Sequence, residues 1–303
     1  MEAIALRPLA IYTIATAAFV AVTWGLLALV RLREAMAPIR TWLVMLPIIL
    51  GALWLGQGIW VGLVAAVSLG AFAEFARATG LARDRLLMGA VVLTIVAANA
   101  TILLGQYTLF AAIPAVGMLL VIAVPIVRNR AEGMLPGLAL GVFAVVAFAY
   151  SLGHLSLLGA SPLGPGYVLF VVLATQANDA FGFIWGKLAG RHRWTPISPN
   201  KTVEGSLLAA ATTVALAFVH WPIAFPHVPV WGVALAGLVV AFGGQLGDLA
   251  FATVKRSVGV KDYGSILPGH GGILDRANSL VVTAPAFTIL AAGLWGGLPG
   301  GPA

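Results

Sequence analysis

Ten apolar runs divide this chain of 303 residues, and most of them are close to the length of a membrane-spanning helix. A spanning helix needs about 20 apolar residues, so the runs predict an all-α, polytopic integral membrane protein with about ten transmembrane helices. The second run is short and lies only two residues before the third, so nine spans remain open if it is a re-entrant or tilted piece. The runs cover residues 9–30, 41–56, 59–76, 86–104, 107–127, 134–159, 166–188, 205–220, 229–254 and 279–297.

The composition supports a lipid-embedded chain. Apolar residues make up 61% of the sequence and charged residues 9%, whereas a soluble domain is about half apolar and about a quarter charged. This leaves no room for a sizeable soluble domain. The chain has no cysteine, which excludes disulfides and thiolate metal sites. The first run is longer than the apolar core of a signal peptide, about 7–15 residues, and is predicted to be a retained span.

The basic residues follow a membrane pattern, so the net charge of +7 does not predict a nucleic-acid partner. Sixteen of the 17 Lys and Arg residues lie on alternate connections between the runs or at the adjoining ends of the runs, and Arg7 is the exception. The positive-inside rule places these basic connections in the cytoplasm and both termini outside. We therefore expect a multi-pass protein of the inner (plasma) membrane.

Charge is concentrated between the last two apolar runs, in the 24 residues from Lys255 to Asn278. Charge beside a bilayer is costly, so this cluster indicates a site for a charged substrate. Carboxylates can hold a hard cation such as Mg²⁺, and Lys and Arg can hold phosphate. The charged and titratable members are Lys255, Arg256, Lys261, Asp262, His270, Asp275 and Arg276.

The glycine-rich piece Pro268–Gly272 lies inside this segment. Its glycines allow tight turns and close approach of the backbone to a ligand, so Gly271 and Gly272 are candidates for a phosphate-cradling nest of amides. His270 has three open interpretations: a hydrogen-bond donor, a proton carrier or a contact to lipid headgroups.

Two aspartates lie within or at the end of apolar runs. Asp179 either faces a polar cavity or makes an interhelical hydrogen bond together with Asn178 or Gln176. Asp248 shares a helix face with Lys255, seven residues later, which is too far for direct contact and favours a shared polar cavity.

Other polar and small residues have structural interpretations. Gly243 and Gly247 form a GxxxG pattern, which predicts close packing of two helices. Glu74 and Arg77 are spaced for an i,i+3 ion pair at a helix end.

The connection from Arg191 to Glu204 carries two prolines and is predicted to be non-helical. Lys201 and Thr202 precede Glu204, which could begin the next helix. A basic loop that leads into a helix N-terminus is either an anion site or a contact to lipid headgroups.

The segment from Lys255 resembles the signature of the phosphatidate cytidylyltransferase (CDP-diacylglycerol synthase) family. The residues that fit the signature are Lys255, Arg256, Lys261, Asp262, Gly264, Pro268, His270, Gly271, Gly272, Asp275 and Arg276. Upstream residues resemble other motifs of the family, namely Asn178, Asp179, Ser198, Pro199, Lys201, Thr202, Glu204, Gly205, Gly247 and Asp248. The resemblance covers most of residues 175–285. We therefore expect residues 1–165 to form an N-terminal scaffold with lipid access, and residues 166–303 the catalytic region.

Four positions depart from the family pattern. Ala252 replaces the opening serine, Ala277 a larger aliphatic residue and Val203 a common aromatic residue. The closing aspartate is Asn278, which can coordinate a metal but carries no charge. These departures indicate a divergent member of the family, for which another lipid phosphate remains open as the substrate.

The resemblance implies that CTP and phosphatidate react to CDP-diacylglycerol and pyrophosphate in phospholipid biosynthesis. It implies Mg²⁺ held by Asp248 and Asp275, with Asn278 beside them and a second cation left open. Lys255 and His270 are the further catalytic candidates. The substrate-binding candidates are Asn178, Asp179, Ser198, Lys201, Thr202, Glu204, Arg256, Lys261, Asp262, Gly271, Gly272 and Arg276. A homodimer is expected on the same ground. Independently of the resemblance, the topology predicted from the basic residues places most of these positions, and thus the active site, on the cytoplasmic side, with Asp179 deeper.

Two other functions remain open from the sequence. A transporter or channel would use Asp179 and Asp248 to line its path, although we see no inverted repeat. A weakly active lipid-binding relative is the third interpretation, and it follows from Asn278.

Overall fold

The computed structural model describes residues 7–18, 36–266 and 271–295, and this part of the chain is helical apart from its connections and one isolated antiparallel bridge between Arg193 and Thr202. A 3₁₀ turn covers Leu81–Arg83, and a π-helical segment covers Val145–Ser151. The helices are α1 (7–18), α2 (Met36–Trp54), α3 (Gln57–Thr79), α4 (Arg85–Leu103), α5 (Tyr107–Val127), α6 (Leu135–Ala144), α7 (Gly153–Gly159), α8 (Gly164–Ala189), α9 (Val203–Ala224), α10 (Val230–Ser257) and α11 (Ile273–Leu294).

Eight helical segments of the described chain are long and apolar enough to cross a membrane, and they correspond to the last eight predicted runs. The segment Leu135–Gly159 counts as one of them, because α6, the π-helical segment and α7 are continuous. Within α2 the apolar stretch is shorter, Val44–Trp54. Most of the first predicted run lies outside the described residues. The prediction of an all-α polytopic membrane protein is confirmed, while the total of ten spans stays a prediction.

The turn between α3 and α4 illustrates how the sequence ends one span and begins the next. Gly80 has φ +79°, a left-handed conformation that suits glycine at the C-terminus of a helix. Asp84 caps α4, because its side chain accepts hydrogen bonds from the amides of Leu86 and Leu87. Arg128, at the end of α5, forms an ion pair with the same carboxylate. The basic end of α5 is thereby tied to the start of α4.

Helices α8, α9, α10 and α11 pack closely because glycines lie at their contacts. A Cβ atom on Gly247 would lie 2.7 Å from the carbonyl oxygen of Asn278, and one on Gly243 would lie 3.3 Å from Cα of Thr283. The GxxxG pattern therefore packs α10 against α11, as predicted. Gly205 has the same role between α9 and α8, where its Cβ would lie 2.8 Å from Cα of Gly186.

The N-terminal helices pack directly against these four. Phe72 of α3 and Phe251 of α10 both contact Phe148 of the π-helical segment, with ring centroids 5.9 and 6.1 Å apart. All three rings are buried. Helix α3 also packs against α11. The proposed division at residue 165 into a scaffold and a catalytic region stays a prediction.

Candidate active site

A polar cavity of about 260 Å³ lies among α8, α9, α10 and α11. It collects residues that are distant in sequence, because each of the four helices and the connection before α9 contributes to its wall. Most sequence-predicted acidic and amide residues of the site are among them. The lining residues are Asn178, Asp179, Gly182, Phe183, Asn200, Lys201, Thr202, Ser206, Gln245, Asp248, Asp275, Arg276 and Asn278.

A chain of polar contacts crosses the wall of the cavity. Asp179 accepts a hydrogen bond from the Ser279 hydroxyl at 3.1 Å, and Ser279 in turn contacts the side-chain oxygen of Asn278. The Asn278 amide nitrogen donates to Asp248 Oδ1 at 3.0 Å, and Asp248 Oδ2 pairs with Lys201 Nζ at 2.6 Å. The two intramembrane aspartates are therefore linked through neutral donors on α11.

The sequence left open an interhelical hydrogen bond at Asp179, and the neighbouring Asn178 makes bonds of this kind. Its side chain donates to the carbonyl of Ala241 on α10 at 3.2 Å and accepts from the Thr213 hydroxyl on α9 at 3.1 Å. It is buried and ties three helices together beside the cavity. Asp179, one residue later, also lines the cavity and accepts an interhelical hydrogen bond from Ser279, so both neighbours line the cavity and join helices.

The lysine partners differ from the sequence expectation. Lys255 was expected to share a polar cavity with Asp248, but its ammonium group lies 3.0 Å from Asp275 Oδ1. Lys201 is the partner of Asp248. Because both contacts run between helices or from a loop to a helix, the spacing along α10 could not predict them. Two of the lysines expected to contact phosphate, Lys201 and Lys255, thus stand beside the two carboxylates that were expected to hold metal.

Asp275 is almost fully buried, with a side chain 5% exposed, and it accepts several hydrogen bonds at once. Its Oδ2 atom accepts from the amides of Gly272 and Tyr263, both at 2.9 Å. The carboxylate therefore caps the first turn of α11 while it also lines the cavity. Burial, together with the negative charge of Asp275, raises the pKa of the Tyr263 phenol. That phenol donates to the carbonyl of Phe251 on α10.

The first amides of α11 are occupied by carboxylates. Gly272 donates to Asp275, and Ile273 and Leu274 donate to Glu74. The Gly272 amide is thus not open to phosphate as the nest interpretation required. The predicted pair of Glu74 with Arg77 is wrong, because Glu74 is buried and Arg77 is exposed. Residues Pro268–His270 lie outside the described chain, so the roles of His270 stay predictions.

The connection before α9 begins the helix as expected. Thr202 is its N-cap residue, and its hydroxyl accepts from the Gly205 amide at 3.1 Å. Glu204 does not line the cavity; it accepts from the amides of Arg191 and His192 and thereby closes the loop on itself. Ser198 belongs to the same loop, where its carbonyl accepts from the Lys201 amide.

The remaining predicted residues lie at the edge of the site. Arg256, Lys261 and Asp262 are exposed and lie outside the cavity lining. Arg256 reaches the loop before α9, where it donates to the carbonyl of Ile197 at 3.4 Å. Gly271, in the turn before α11, has φ +79°, a left-handed conformation that glycine adopts without strain.

Arg276 lines a second cavity as well as the polar one. This apolar cavity has a volume of about 300 Å³ and lies among α2, α3, α7, α8 and α11. Trp60 lies towards one end, where its indole donates to the carbonyl of Leu155. Ser68 also lines it, and the buried Ser68 hydroxyl has no hydrogen-bond partner within the described residues. Gln176 lies near Arg276 and donates to its carbonyl at 2.9 Å.

The donors of the polar cavity fit Mg²⁺. They are hard oxygen donors from aspartate and asparagine side chains. Among the described residues, no three or more His, Cys, Asp or Glu side chains are grouped so that they could bind one ion, so the protein alone would supply few ligands. Magnesium in proteins usually takes one or two carboxylates and completes its coordination with substrate phosphates and water. Asp248 suits this pattern best, since its side chain is 29% exposed towards the cavity.

The sequence did not predict the contact of Ser279 with Asp179 or the contact of Glu74 with the first amides of α11. Ser279 was predicted to be the first residue of the last apolar run, but α11 begins at Ile273, so this serine lies on the second turn of a polar helix start. Its position next to Asn278 was the available signal. The only signal for Glu74 was its place inside an apolar run.

Fold and site together define a polytopic, all-α membrane protein with a buried cavity in which aspartates stand beside lysines and an arginine. The sequence profile of the Cytidylyltransferase family matches residues 36–293, and the chain belongs to this family.

Similar proteins include one without an assigned activity. The uncharacterized protein YnbB of Escherichia coli K12 is 34% identical over 181 residues, which is 58% of this chain and 60% of that protein. The phosphatidate cytidylyltransferases of Staphylococcus epidermidis and Staphylococcus aureus are 38% identical over 150 and 152 residues, 49% of this chain and 58% of theirs. The chain thus spans less than two thirds of the length of these curated relatives.

Proposed function

We propose that this protein is a CTP-dependent cytidylyltransferase that converts phosphatidate, or a related lipid phosphate, and CTP to CDP-diacylglycerol and pyrophosphate. The observation that carries the proposal is the position of Arg276 between a polar and an apolar cavity. A lipid phosphate has one anionic and one apolar end, and these two cavities match its two ends in chemistry. Arg276 would bind the phosphate that joins them.

The apolar cavity is suited to the acyl part of the lipid. It follows α3 from Ser68 to Trp60, a distance of about 12 Å for eight residues of helix. The Ser68 hydroxyl, which has no partner among the described residues, lines the same cavity as Arg276 and can donate to an ester carbonyl of a glycerolipid. This assigns the N-terminal helices a part in lipid binding and supports the division at residue 165.

The polar cavity is suited to the triphosphate of CTP and its cation. We propose that Asp248 and Asp275 would hold Mg²⁺, with Asn278 orienting Asp248 through its hydrogen bond. When bound, the ion would offset the negative charge of the phosphates. Lys201, Lys255 and Arg276 add positive charge around the same space. A second cation stays open.

The reaction needs charge neutralisation more than a general base. A phosphate monoester is largely dianionic at pH 7, so a lipid phosphate oxygen can attack the α-phosphorus of CTP directly. A new P–O bond forms there, the bond to the bridging oxygen of the β-phosphate breaks, and pyrophosphate leaves with that electron pair. Both reactants are anions, so preorganised lysine and arginine side chains lower the barrier by binding the developing charge.

The charge distribution supports the membrane orientation. The basic connections would lie in the cytoplasm, where CTP is found, and the polar cavity opens among helix ends on that side. We propose the inner (plasma) membrane as the location, and a homodimer as the assembly on the basis of family membership. Family membership also favours the enzyme over a transporter or channel.

One assay tests the proposal. Purified protein with Mg²⁺, CTP and phosphatidate should release pyrophosphate, and Asp248→Asn should lower kcat by about 10²-fold or more, the usual cost of losing one charge-stabilising group. Glu132→Gln, which removes an exposed carboxylate between α5 and α6, is the matched control and should keep full activity. No release by the wild-type protein would favour the lipid-binding relative, and an active Asp248→Asn variant would remove the proposed role of Asp248.

A further inference from the structure

Glu74 lies in the C-terminal half of α3 and is fully buried, yet it lines neither cavity. Its Oε1 atom accepts a hydrogen bond from the Ile273 amide at 3.0 Å, and Oε2 accepts from the Leu274 amide at 2.8 Å. One side chain of the N-terminal helices thus binds the first two amides of α11, about 200 positions away in the chain.

No lysine or arginine of the described chain forms an ion pair with Glu74. A buried carboxylate is costly unless charge or hydrogen bonds compensate it. Here the compensation comes from α11 itself, because the amides at a helix N-terminus carry partial positive charge. The carboxylate and the start of α11 therefore stabilise each other, and neither position is favourable without the other.

Two glycines make room for this contact. A Cβ atom on Gly272 would lie 2.2 Å from Glu74 Oε2, and a Cβ atom on Gly264 would lie 2.4 Å from Oε1. Both glycines belong to the connection between α10 and α11. Glu74 can therefore approach this connection only because Gly264 and Gly272 have no side chains.

We propose that Glu74 is a positioning residue for the transferase reaction: it fixes the first turn of α11 and thereby holds Arg276 at the junction of the two cavities. The inference rests on the proposed function, since Arg276 is assigned there to the lipid phosphate. Arg276 lies on the same turn as the amides that Glu74 binds, so fraying or rotation of this turn displaces its guanidinium from both cavities.

The first test measures the turn itself. Hydrogen exchange of the wild-type protein, Glu74→Gln and the control Glu132→Gln should show faster exchange in the segment 272–276 of Glu74→Gln only. A lost helix cap corresponds to about 3- to 30-fold faster exchange there. Glutamine keeps the size of the side chain but places an NH₂ group against one of the two amides. Unchanged exchange in this segment would overturn the proposal.

The second test separates positioning from general stability. Binding of short-chain phosphatidate is measured for the wild-type protein, Glu74→Gln, Arg276→Ala and the double variant. Glu74→Gln should weaken binding by about 3- to 30-fold alone and by less than about twofold when Arg276 is already absent, because a residue that acts through another loses its effect with it. Independent effects that multiply in the double variant would contradict the role of Glu74.

The outcomes distinguish this inference from the proposed function. A wild-type protein that binds no phosphatidate contradicts the proposed function, while the exchange experiment still decides whether Glu74 holds the turn. If Glu74→Gln does not fold, Gly264→Ala replaces it in both tests, since its Cβ would displace the carboxylate without removing it. Gly264→Ala should then reproduce the faster exchange, and an unaltered segment 272–276 would overturn the inference.

Discussion

Individual side chains of the site satisfy one another before any substrate is considered. Asp248 has Lys201 on one oxygen and Asn278 on the other, and Asp275 has Lys255 and two backbone amides. Buried charges are tolerated only with such partners. The divergent Asn278 matters here, because an amide can donate to Asp248 where a carboxylate would repel it. This chain therefore carries one negative charge fewer at the centre of its site than the family pattern implies.

The substitution Asn278→Asp tests that difference. It should replace a donor by a second carboxylate 3.0 Å from Asp248, so the variant should unfold at a lower temperature without Mg²⁺ and gain apparent Mg²⁺ affinity by about tenfold, or about 1.4 kcal/mol. Thermal unfolding at several Mg²⁺ concentrations measures both effects. Asn129→Asp adds the same charge on an exposed connection and should change neither. An unchanged Mg²⁺ response of Asn278→Asp would remove position 278 from the cation site.

At the scale of elements, α10 and α11 determine the site, since they carry Asp248, Asp275, Arg276 and Asn278. They approach closely because Gly247 presents no side chain to the backbone of α11. In a membrane, helix association depends on such van der Waals contact and on interhelical hydrogen bonds, because lipid tails are as apolar as the helices. The hydrogen bond from Asn278 to Asp248 requires this short distance.

The substitution Gly247→Ala should therefore separate the two helices. Its Cβ would lie 2.7 Å from the Asn278 carbonyl and 2.9 Å from Cα of Ser279, and both are backbone atoms that cannot move aside as side chains do. We expect a loss of about 1–3 kcal/mol in stability, seen as a lower unfolding temperature, and loss of transferase activity.

Gly293→Ala is the matched control, because this glycine lies inside α11, the partner helix of α10, and has nothing within 4 Å of the added Cβ. It should be neutral or slightly stabilising, since alanine favours helix more than glycine does. Equal effects at both positions would show that helix propensity, and not interhelical distance, governs stability here.

In the molecule as a whole, the N-terminal helices α2, α3 and α7 line one side of the apolar cavity, and α3 supplies Glu74 to the start of α11. The two parts of the chain are thus interdependent in space although the family signature lies only in the second. The positive-inside rule predicts the orientation of the protein in the membrane, with all basic connections in the cytoplasm.

Single-cysteine variants test this orientation directly, because the natural chain has no cysteine. A membrane-impermeant maleimide should label Pro162→Cys, between α7 and α8, in intact cells. It should label Glu132→Cys, between α5 and α6, only after the cells are permeabilised; both positions are exposed. The unsubstituted chain is the blank. Labelling of Glu132→Cys alone in intact cells would reverse the proposed topology.

The local and compositional properties of this protein can be predicted from its amino-acid sequence alone. Apolar run length predicted the helices, because each span must satisfy its own backbone hydrogen bonds in lipid. The spacing of Gly243 and Gly247 predicted close packing of two helices, and the polar residues of the segment from Asp248 to Asn278 predicted four of the residues that line the cavity. These inferences use neighbours within a few turns of helix.

Which charged groups meet could not be predicted from the sequence, because it depends on how the helices pack in three dimensions. The tertiary structure paired Lys201 with Asp248 and Lys255 with Asp275, and it brought Glu74 to the amides of α11 from about 200 positions away. It also placed Arg276 between two cavities. The physical reason is that a buried charge takes whichever partner the packing of helices brings within about 3 Å, and periodicity along one helix carries no information about its neighbours.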